Sequence, residues 1–212
     1  MSNETRDGTN LAAEEALERL REGNERFATT ERTPGPLHDR DRMSALLQGQ
    51  HPFAVILGCA DSRVPAEIVF DQGLGELFVI RVAGNIVAPS LIGSVEFAAV
   101  EFGTRLVVVL GHSHCGAVRA TIDELRQPAG AGSKNLRSIV DRVRPAVAPL
   151  LATDFANDPE RLENEAVRAN VRASVEQLRA GSEILEQFID DDGLMIVGAE
   201  YWLESGRVEF LE

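Results

Sequence analysis

Cysteine and histidine side chains follow two short apolar runs of the chain, and both residue types bind metals. Cys59 comes after the run 53–57 and Gly58, whereas His112 and Cys115 come after the run 106–110 and Gly111. If these runs are neighbouring parallel strands, their carboxyl ends share one edge of the sheet, and the three side chains meet there. Two thiolates and an imidazole are a donor set suited to Zn²⁺.

Three protein ligands leave one tetrahedral position of the metal open, which is typical of catalytic rather than structural zinc sites. His-x-x-Cys alone is a weak signal, because a buried cysteine beside a strand-end histidine is commonly an ordinary core residue. Together with Cys59 and its turn, the pattern becomes specific for a metal site. His114 competes with His112 as the ligand. We favour His112, because it directly follows the glycine that ends the strand.

Asp61 and Arg63 lie two and four residues after Cys59. A carboxylate in this place can bind the metal, accept a hydrogen bond from metal-bound water or pair with Arg63, and an ordinary loop ion pair is the simplest alternative. A guanidinium is a bidentate, charge-assisted partner for a carboxylate that leaves a metal. A carboxylate that alternates between the metal and Arg63 would act as a gate, and Asp61 would then ligate the metal only in a closed state.

The elements that position these residues predict an α/β fold. Strand-like apolar runs alternate with helical patterns; the runs cover residues 53–57, 77–82, 106–110 and 194–197. Fully apolar strands joined by crossovers are typical of a parallel sheet with helices on both faces. The segment 206–211 follows a turn after Trp202, so we expect an antiparallel edge strand beside a mostly parallel sheet of about four strands.

Helical patterns separate most of these runs and cover residues 90–102, 116–127, 136–151 and 159–180. The chain is predicted to be a single domain, 1–212, that begins with a disordered segment, 1–10, and an N-terminal helical arm, 11–50. A chain of this length buries a sizeable core without disulfides or a structural metal, so a metal here is expected to take part in catalysis.

The composition excludes several classes of partner. The chain has 34 acidic and 21 basic residues, a formal net charge of -13, which repels phosphate backbones and anionic lipids. No run approaches the roughly 18 apolar residues of a membrane span, and no secretion signal is evident, so we expect a cytoplasmic protein with free or metal-bound thiols. The acidic run 190–192 is interpreted as a solvated loop.

The combined motifs resemble those of the β-class carbonic anhydrases. The likeness covers nearly the whole chain after the first ten residues, and it is carried by Cys59-Ala60-Asp61-Ser62-Arg63, Gly111-His112-Ser113-His114-Cys115-Gly116, and the segments 22–27, 70–73, 81–85 and 201–208. The resemblance implies one Zn²⁺ per chain and reversible hydration of CO₂ to bicarbonate and a proton by zinc-bound hydroxide. It also implies a homodimer or higher homo-oligomer, with the helix 11–27 packed on a neighbour.

The resemblance also assigns roles to individual residues. Cys59, His112 and Cys115 match the zinc ligands of the family, and Asp61 with Arg63 matches its catalytic dyad. Gly116 matches a backbone amide donor beside the substrate.

In the plant-like branch of the family, a glutamine, a phenylalanine and a tyrosine from the partner subunit line the CO₂ pocket. The matching positions are Gln50, Phe78 and Phe97, and Phe97 lacks the hydroxyl. From the residues alone, both phenylalanines fit ordinary core packing and Gln50 a surface loop. The branch that bicarbonate inhibits has a tryptophan where this chain has Ile56, so the resemblance favours the plant-like branch.

Other functions use the same donors. Relatives of the family hydrolyse carbon disulfide or carbonyl sulfide, and a non-catalytic zinc or bicarbonate-binding module results if Asp61 permanently fills the fourth position. A redox pair is disfavoured, because Cys59 and Cys115 lack Cys-x-x-Cys spacing. Two thiolates offset the charge of Zn²⁺, so the metal acidifies water less than a His₃ site, where the pKa is about 7, and hydration should accelerate above neutral pH.

Overall fold

A computed structural model describes residues 11–31, 40–127 and 133–211, and the predicted disorder of 1–10 lies outside these ranges. The strands are β1 Ala54–Gly58, β2 Leu77–Arg81, β3 Leu106–His112, β4 Met195–Tyr201 and β5 Val208–Leu211. The α-helices are α1 Ala13–Ala28, α2 Arg40–Leu46, α3 Ala66–Val69, α4 Pro89–Glu101, α5 Gly116–Arg126, α6 Lys134–Val147, α7 Pro159–Arg179 and α8 Glu183–Asp191. A 3-10 turn covers Ala83–Asn85.

The five strands form one sheet in the order β2-β1-β3-β4-β5. The first four are parallel, and β5 pairs antiparallel with β4. The predicted fold class is therefore confirmed. β3 continues beyond the predicted run 106–110, because Gly111 and His112 still pair with β4, and His112 is the last residue of the strand.

The acidic run 190–192 is not a loop throughout, which corrects the sequence interpretation. Asp190 and Asp191 end α8, and the Ser182 hydroxyl caps its beginning by accepting a hydrogen bond from the Leu185 amide. Leu185 is fully buried, and Phe188 packs against the same core cluster. The helical spacing of these apolar side chains outweighs the local preference of an acidic run for solvent.

Helix α7 packs unusually close to the sheet because two glycines face it. A Cβ atom at Gly111 would lie 2.5 Å from Val171 Cγ2, and one at Gly198 would lie 2.7 Å from Val171 Cγ1. Real Cβ atoms do not approach other atoms so closely, so any larger residue displaces the helix or its valine. The close approach brings the buried face of α7 within reach of the loops at the sheet edge.

Helix α1 packs on the body of its own chain. Leu20 is fully buried in the cluster that includes Phe70, and the Asn24 side chain bonds the backbone of Val69, Gly206 and Val208. The contact of this helix with a neighbouring subunit stays a prediction. Within the described ranges, none of the helices combines the length and apolarity needed to cross a bilayer.

Candidate metal centre

The carboxyl ends of β1 and β3 lie side by side, as their parallel register pairs Gly58 with Leu110. Cys59 follows the last residue of β1, His112 ends β3, and Cys115 is the residue just before α5. His114 has a positive φ of 55°, which turns the chain sharply between β3 and α5. The tight turn returns Cys115 to the strand ends, so the three side chains converge.

The donor atoms of Cys59, His112 and Cys115 all lie within 4.8 Å of one another, and all three residues are buried. His112 Nδ1 lies 2.9 Å from the Ser113 carbonyl oxygen, which accepts a hydrogen bond from the Nδ1–H group. This tautomer leaves the lone pair on Nε2, beside the sulfurs. His112 Nε2 is buried and has no hydrogen-bond partner among the described residues. This orphaned nitrogen beside two thiols fits a single tetrahedral zinc ion.

The two thiols already concentrate negative charge at this point. A hydrogen bond from the Cys115 thiol lowers the pKa of Cys59 to about 4, and the Gly84 amide and the His112 imidazole act in the same direction. The neighbouring Cys59 thiolate raises the pKa of Cys115. A divalent cation that binds here replaces the remaining Cys115 proton, so metal binding releases a proton.

Asp61 is held by Arg63 beside the donor group. Arg63 Nε donates to Asp61 Oδ1 at 2.9 Å, Arg63 Nη2 donates to Asp61 Oδ2 at 2.7 Å, and the Arg63 amide donates to Oδ1 at 2.9 Å. These hydrogen bonds hold the pKa of Asp61 well below its usual range. Asp61 Oδ2 also lies 3.9 Å from His112 Nε2, so the carboxylate borders the metal position while it is paired with the guanidinium.

Two residues to which the sequence gave no individual role, Arg81 and Gly84, contact the Cys59 loop. Arg81 Nε donates to the Cys59 carbonyl oxygen at 3.0 Å, and Arg81 Nη2 donates to the carbonyl oxygen of Asp61. The Gly84 amide donates to Cys59 Sγ at 3.4 Å. Both residues belong to the segment 81–85 that carries part of the family resemblance, but only the pairing of β1 with β2 shows that they face Cys59.

His114, the competing ligand, lies outside the donor group. Its Nε2 atom bonds a carboxylate oxygen of Glu204, and about half of its side chain is exposed. Ser113 Oγ donates to the other carboxylate oxygen of Glu204 at 3.1 Å. The imidazole therefore points away from the sulfurs and towards the β4–β5 turn.

The structure does not gather the predicted pocket residues around the donor group of the same chain. Gln50 is exposed, and the Phe97 side chain on α4 is 51% exposed. Phe78 lies three residues before the end of β2, about 10 Å from the sheet edge at the usual rise of a strand. Its ring packs against those of Phe97 and Phe102, with centroid distances of 6.2 and 5.9 Å.

Gly116 lies directly beside the donor group. It is the first residue of α5, where backbone amides have no partner within the helix, and it follows Cys115. It also lines a cleft of about 340 Å³ between α5 and α6, together with Ala83, Ala117 and Leu136.

A doubly covered parallel sheet with a Cys-His-Cys donor set at its carboxyl edge defines an α/β zinc enzyme. Residues 54–208 match the family model described as carbonic anhydrase. The chain is 41% identical over 192 residues to carbonic anhydrase 2 of Mycobacterium tuberculosis, covering 91% of this chain and 89% of the relative. It is 41% identical over 200 residues to a carbonic anhydrase of Mycolicibacterium smegmatis, covering 92% and 91%.

Solved structures agree with the sequence matches. The chain is similar to the β-carbonic anhydrase CcaA, with a TM-score of 0.70, 26% identity and coverage of 93% of this chain and 92% of the other. The Coccomyxa β-carbonic anhydrase in complex with acetazolamide gives a TM-score of 0.71, 26% identity and coverage of 92% and 84%. The chain therefore belongs to the carbonic anhydrase family, in its β class, whose members are zinc enzymes. Its place in the plant-like branch stays an interpretation.

Proposed function

We propose that the protein catalyses the reversible hydration of CO₂ to bicarbonate and a proton. The observation that carries this proposal is the convergence of Cys59 Sγ, His112 Nε2 and Cys115 Sγ at a buried point on the carboxyl edge of the sheet. These three atoms would hold a zinc ion, which would supply a nucleophile by lowering the pKa of water. The remaining steps fall to the side chains and amides around it.

Asp61 orients the nucleophile in this proposal. Because Arg63 keeps the carboxylate ionised, Asp61 can accept a hydrogen bond but cannot donate one. Its Oδ2 atom borders the metal position, so it accepts the hydrogen of the nucleophile and directs an oxygen lone pair towards the carbon of CO₂. Arg63 is the partner that keeps Asp61 from binding the metal, and the closed state, with Asp61 as the fourth ligand, is the resting alternative.

The substrate oxygen is held by the Gly116 amide, which lies at the beginning of α5 next to Cys115. Gln50, Phe78 and Phe97 complete the CO₂ pocket of a second subunit in a homodimer or larger homo-oligomer. The support for this role is their exposure: Gln50 and Phe97 are exposed in their own chain, so a second subunit can contact them. The cytoplasm is the proposed compartment, where thiols such as Cys59 and Cys115 stay reduced.

Stopped-flow measurement of CO₂ hydration by the zinc-loaded protein tests the proposal. We expect turnover of CO₂ that increases between about pH 6 and 9, because two thiolates leave zinc a weaker Lewis acid than three imidazoles do. Asp61 does not contribute to this increase, because its pKa lies far below the range. Turnover of carbon disulfide and of carbonyl sulfide is measured with the same preparation.

Two results would contradict the proposal. Full zinc occupancy without CO₂ turnover at alkaline pH identifies a binding module rather than an enzyme. Faster turnover of carbon disulfide or carbonyl sulfide than of CO₂ identifies a hydrolase on the same scaffold. A flat rate between about pH 6 and 9 contradicts the charge argument alone.

A further inference from the structure

Two polar side chains interrupt the buried, apolar face of α7. Asn170 is 2% exposed and Ser174 is 3% exposed, although their neighbours on this face, Val167 and Val171, are apolar core residues. They are spaced four residues apart, so they lie one above the other on the side that packs against the sheet. A buried polar group lowers the stability of the fold unless it is hydrogen-bonded. The role of these two side chains therefore depends on their hydrogen-bond partners.

Both side chains bond the same turn. Asn170 Nδ2 donates to the Gly84 carbonyl oxygen at 2.8 Å, and Ser174 Oγ donates to the Asn85 carbonyl oxygen at 3.1 Å. Gly84 and Asn85 both have positive φ values, 72° and 42°. A positive φ is easily adopted by a glycine such as Gly84, but it is unfavourable for Asn85, so the turn needs contacts that hold it. Asn170 and Ser174 provide them.

The turn held in this way faces the metal centre. Gly84 directs its amide at Cys59 Sγ over 3.4 Å. The Asp61 amide is a second backbone donor to this sulfur, but it belongs to the Cys59 loop itself, whereas Gly84 belongs to the turn that α7 holds. An N–H donor withdraws electron density from a thiolate and fixes the direction of its lone pairs. Outer contacts of this kind set the geometry and strength of a metal ligand.

We infer that Asn170 and Ser174 are positioning residues of the zinc centre. By holding the Gly84–Asn85 turn, they keep the Gly84 amide on the Cys59 sulfur and so preorganise this ligand for zinc. The Arg81 contact to the Cys59 carbonyl restrains only the backbone. The inference shares the metal centre with the proposed function, but it does not depend on which reaction the centre catalyses.

The test compares Asn170→Ala with Asn24→Ala. Asn24 is a matched control, because it is also a buried asparagine, its Nδ2 atom bonds two backbone carbonyls, of Val69 and Gly206, and it lies on α1. Three quantities are measured for each variant: thermal stability, the zinc dissociation constant by competition with a chelator, and the energy of the sulfur-to-metal charge-transfer band of the cobalt-substituted protein.

We expect Asn170→Ala to bind zinc about tenfold more weakly, at the lower end of the usual effect of outer contacts. We also expect its charge-transfer band to shift to lower energy, because a thiolate without an N–H donor gives up electrons more easily. Asn24→Ala should lose stability while its metal affinity and its band stay those of the wild type. None of these readouts requires turnover, so failure of CO₂ hydration leaves the test intact.

The inference is overturned if Asn170→Ala loses stability as Asn24→Ala does but keeps the wild-type zinc affinity and band energy. If Asn170→Ala does not fold, Ser174→Ala decides, because it removes a single hydroxyl and keeps the apolar packing. A band shift in the same direction, smaller than that expected for Asn170→Ala, supports the inference. An unmoved band contradicts it.

Discussion

The donor group and the predicted CO₂ pocket differ in how one chain specifies them. Cys59, His112 and Cys115 are buried, and backbone contacts at the sheet edge fix each of them. Gln50 and Phe97 are exposed, and the role proposed for them is in the pocket of a second subunit. The difference indicates that a single chain assembles the metal donors, and it supports the proposal that the pocket is completed by a second copy.

The energetics of burial explain why the two regions differ. A buried thiolate and a buried imidazole are costly without partners, and the chain supplies one to Cys59 Sγ and one to His112 Nδ1 while it leaves His112 Nε2 without a hydrogen bond among the described residues. Exposed aromatic rings carry no such requirement, and the packing of Phe78, Phe97 and Phe102 against one another already covers part of their surface. The ring of Phe97 that stays exposed is the surface that a second copy can cover.

The largest expected effect comes from His112→Asn. It removes the buried nitrogen that faces both sulfurs, and two thiols alone leave the ion without its third ligand. We expect the zinc content to fall from one ion per chain to nearly none, and CO₂ hydration to fall with it. Metal analysis after dialysis against a mild chelator measures the loss.

His114→Asn is the matched control for this variant, because His114 lies two residues away and bonds Glu204 instead of the donor group. It should keep its metal. A protein that loses zinc on His114→Asn and keeps it on His112→Asn has the ligands reversed.

The comparison between the two regions is tested most directly by mixing inactive subunits. Gln50→Ala and Asp61→Asn should each reduce CO₂ hydration about 10²-fold as pure proteins, because one removes a substrate donor and the other the acceptor that orients the nucleophile. In a mixed dimer, the subunit that carries Gln50→Ala has an intact Asp61 and receives Gln50 from its partner. Random mixing should therefore restore about a quarter of the wild-type rate.

Mixing separates the two arrangements of the pocket. If Gln50 serves the site of its own chain, every site in the mixture lacks one of the two groups, and the rate stays at the level of the pure variants. Native mass spectrometry of the mixture, with one variant carrying a mass tag, controls for subunit exchange.

The sequence predicted the sheet, its antiparallel edge and the three donors, because apolar runs and short motifs are local and the edge of a parallel sheet is a fixed place. It did not predict the contacts of Asn170 and Ser174, which depend on how closely Gly111 and Gly198 let α7 approach the sheet. The sequence also did not predict α8. The acidic run at its end predicts a loop, although the apolar residues before it have the helical spacing that buries Leu185. Contacts that arise from packing distance leave no motif in the chain.

The smallest expected effect is that of Phe97→Tyr, which adds the hydroxyl that the plant-like pattern has and this chain lacks. Half of the ring is exposed, so stability should change by no more than about 0.5 kcal/mol. If the ring lines a partner's pocket, the hydroxyl adds one hydrogen bond to a substrate oxygen, and kcat/KM for CO₂ should increase about two- to tenfold. Phe102→Tyr, in the same ring cluster, should leave kcat/KM unchanged. If wild type and Phe97→Tyr have equal kcat/KM values for CO₂, the ring of Phe97 does not line the pocket. The exposed ring would then be a packing surface only.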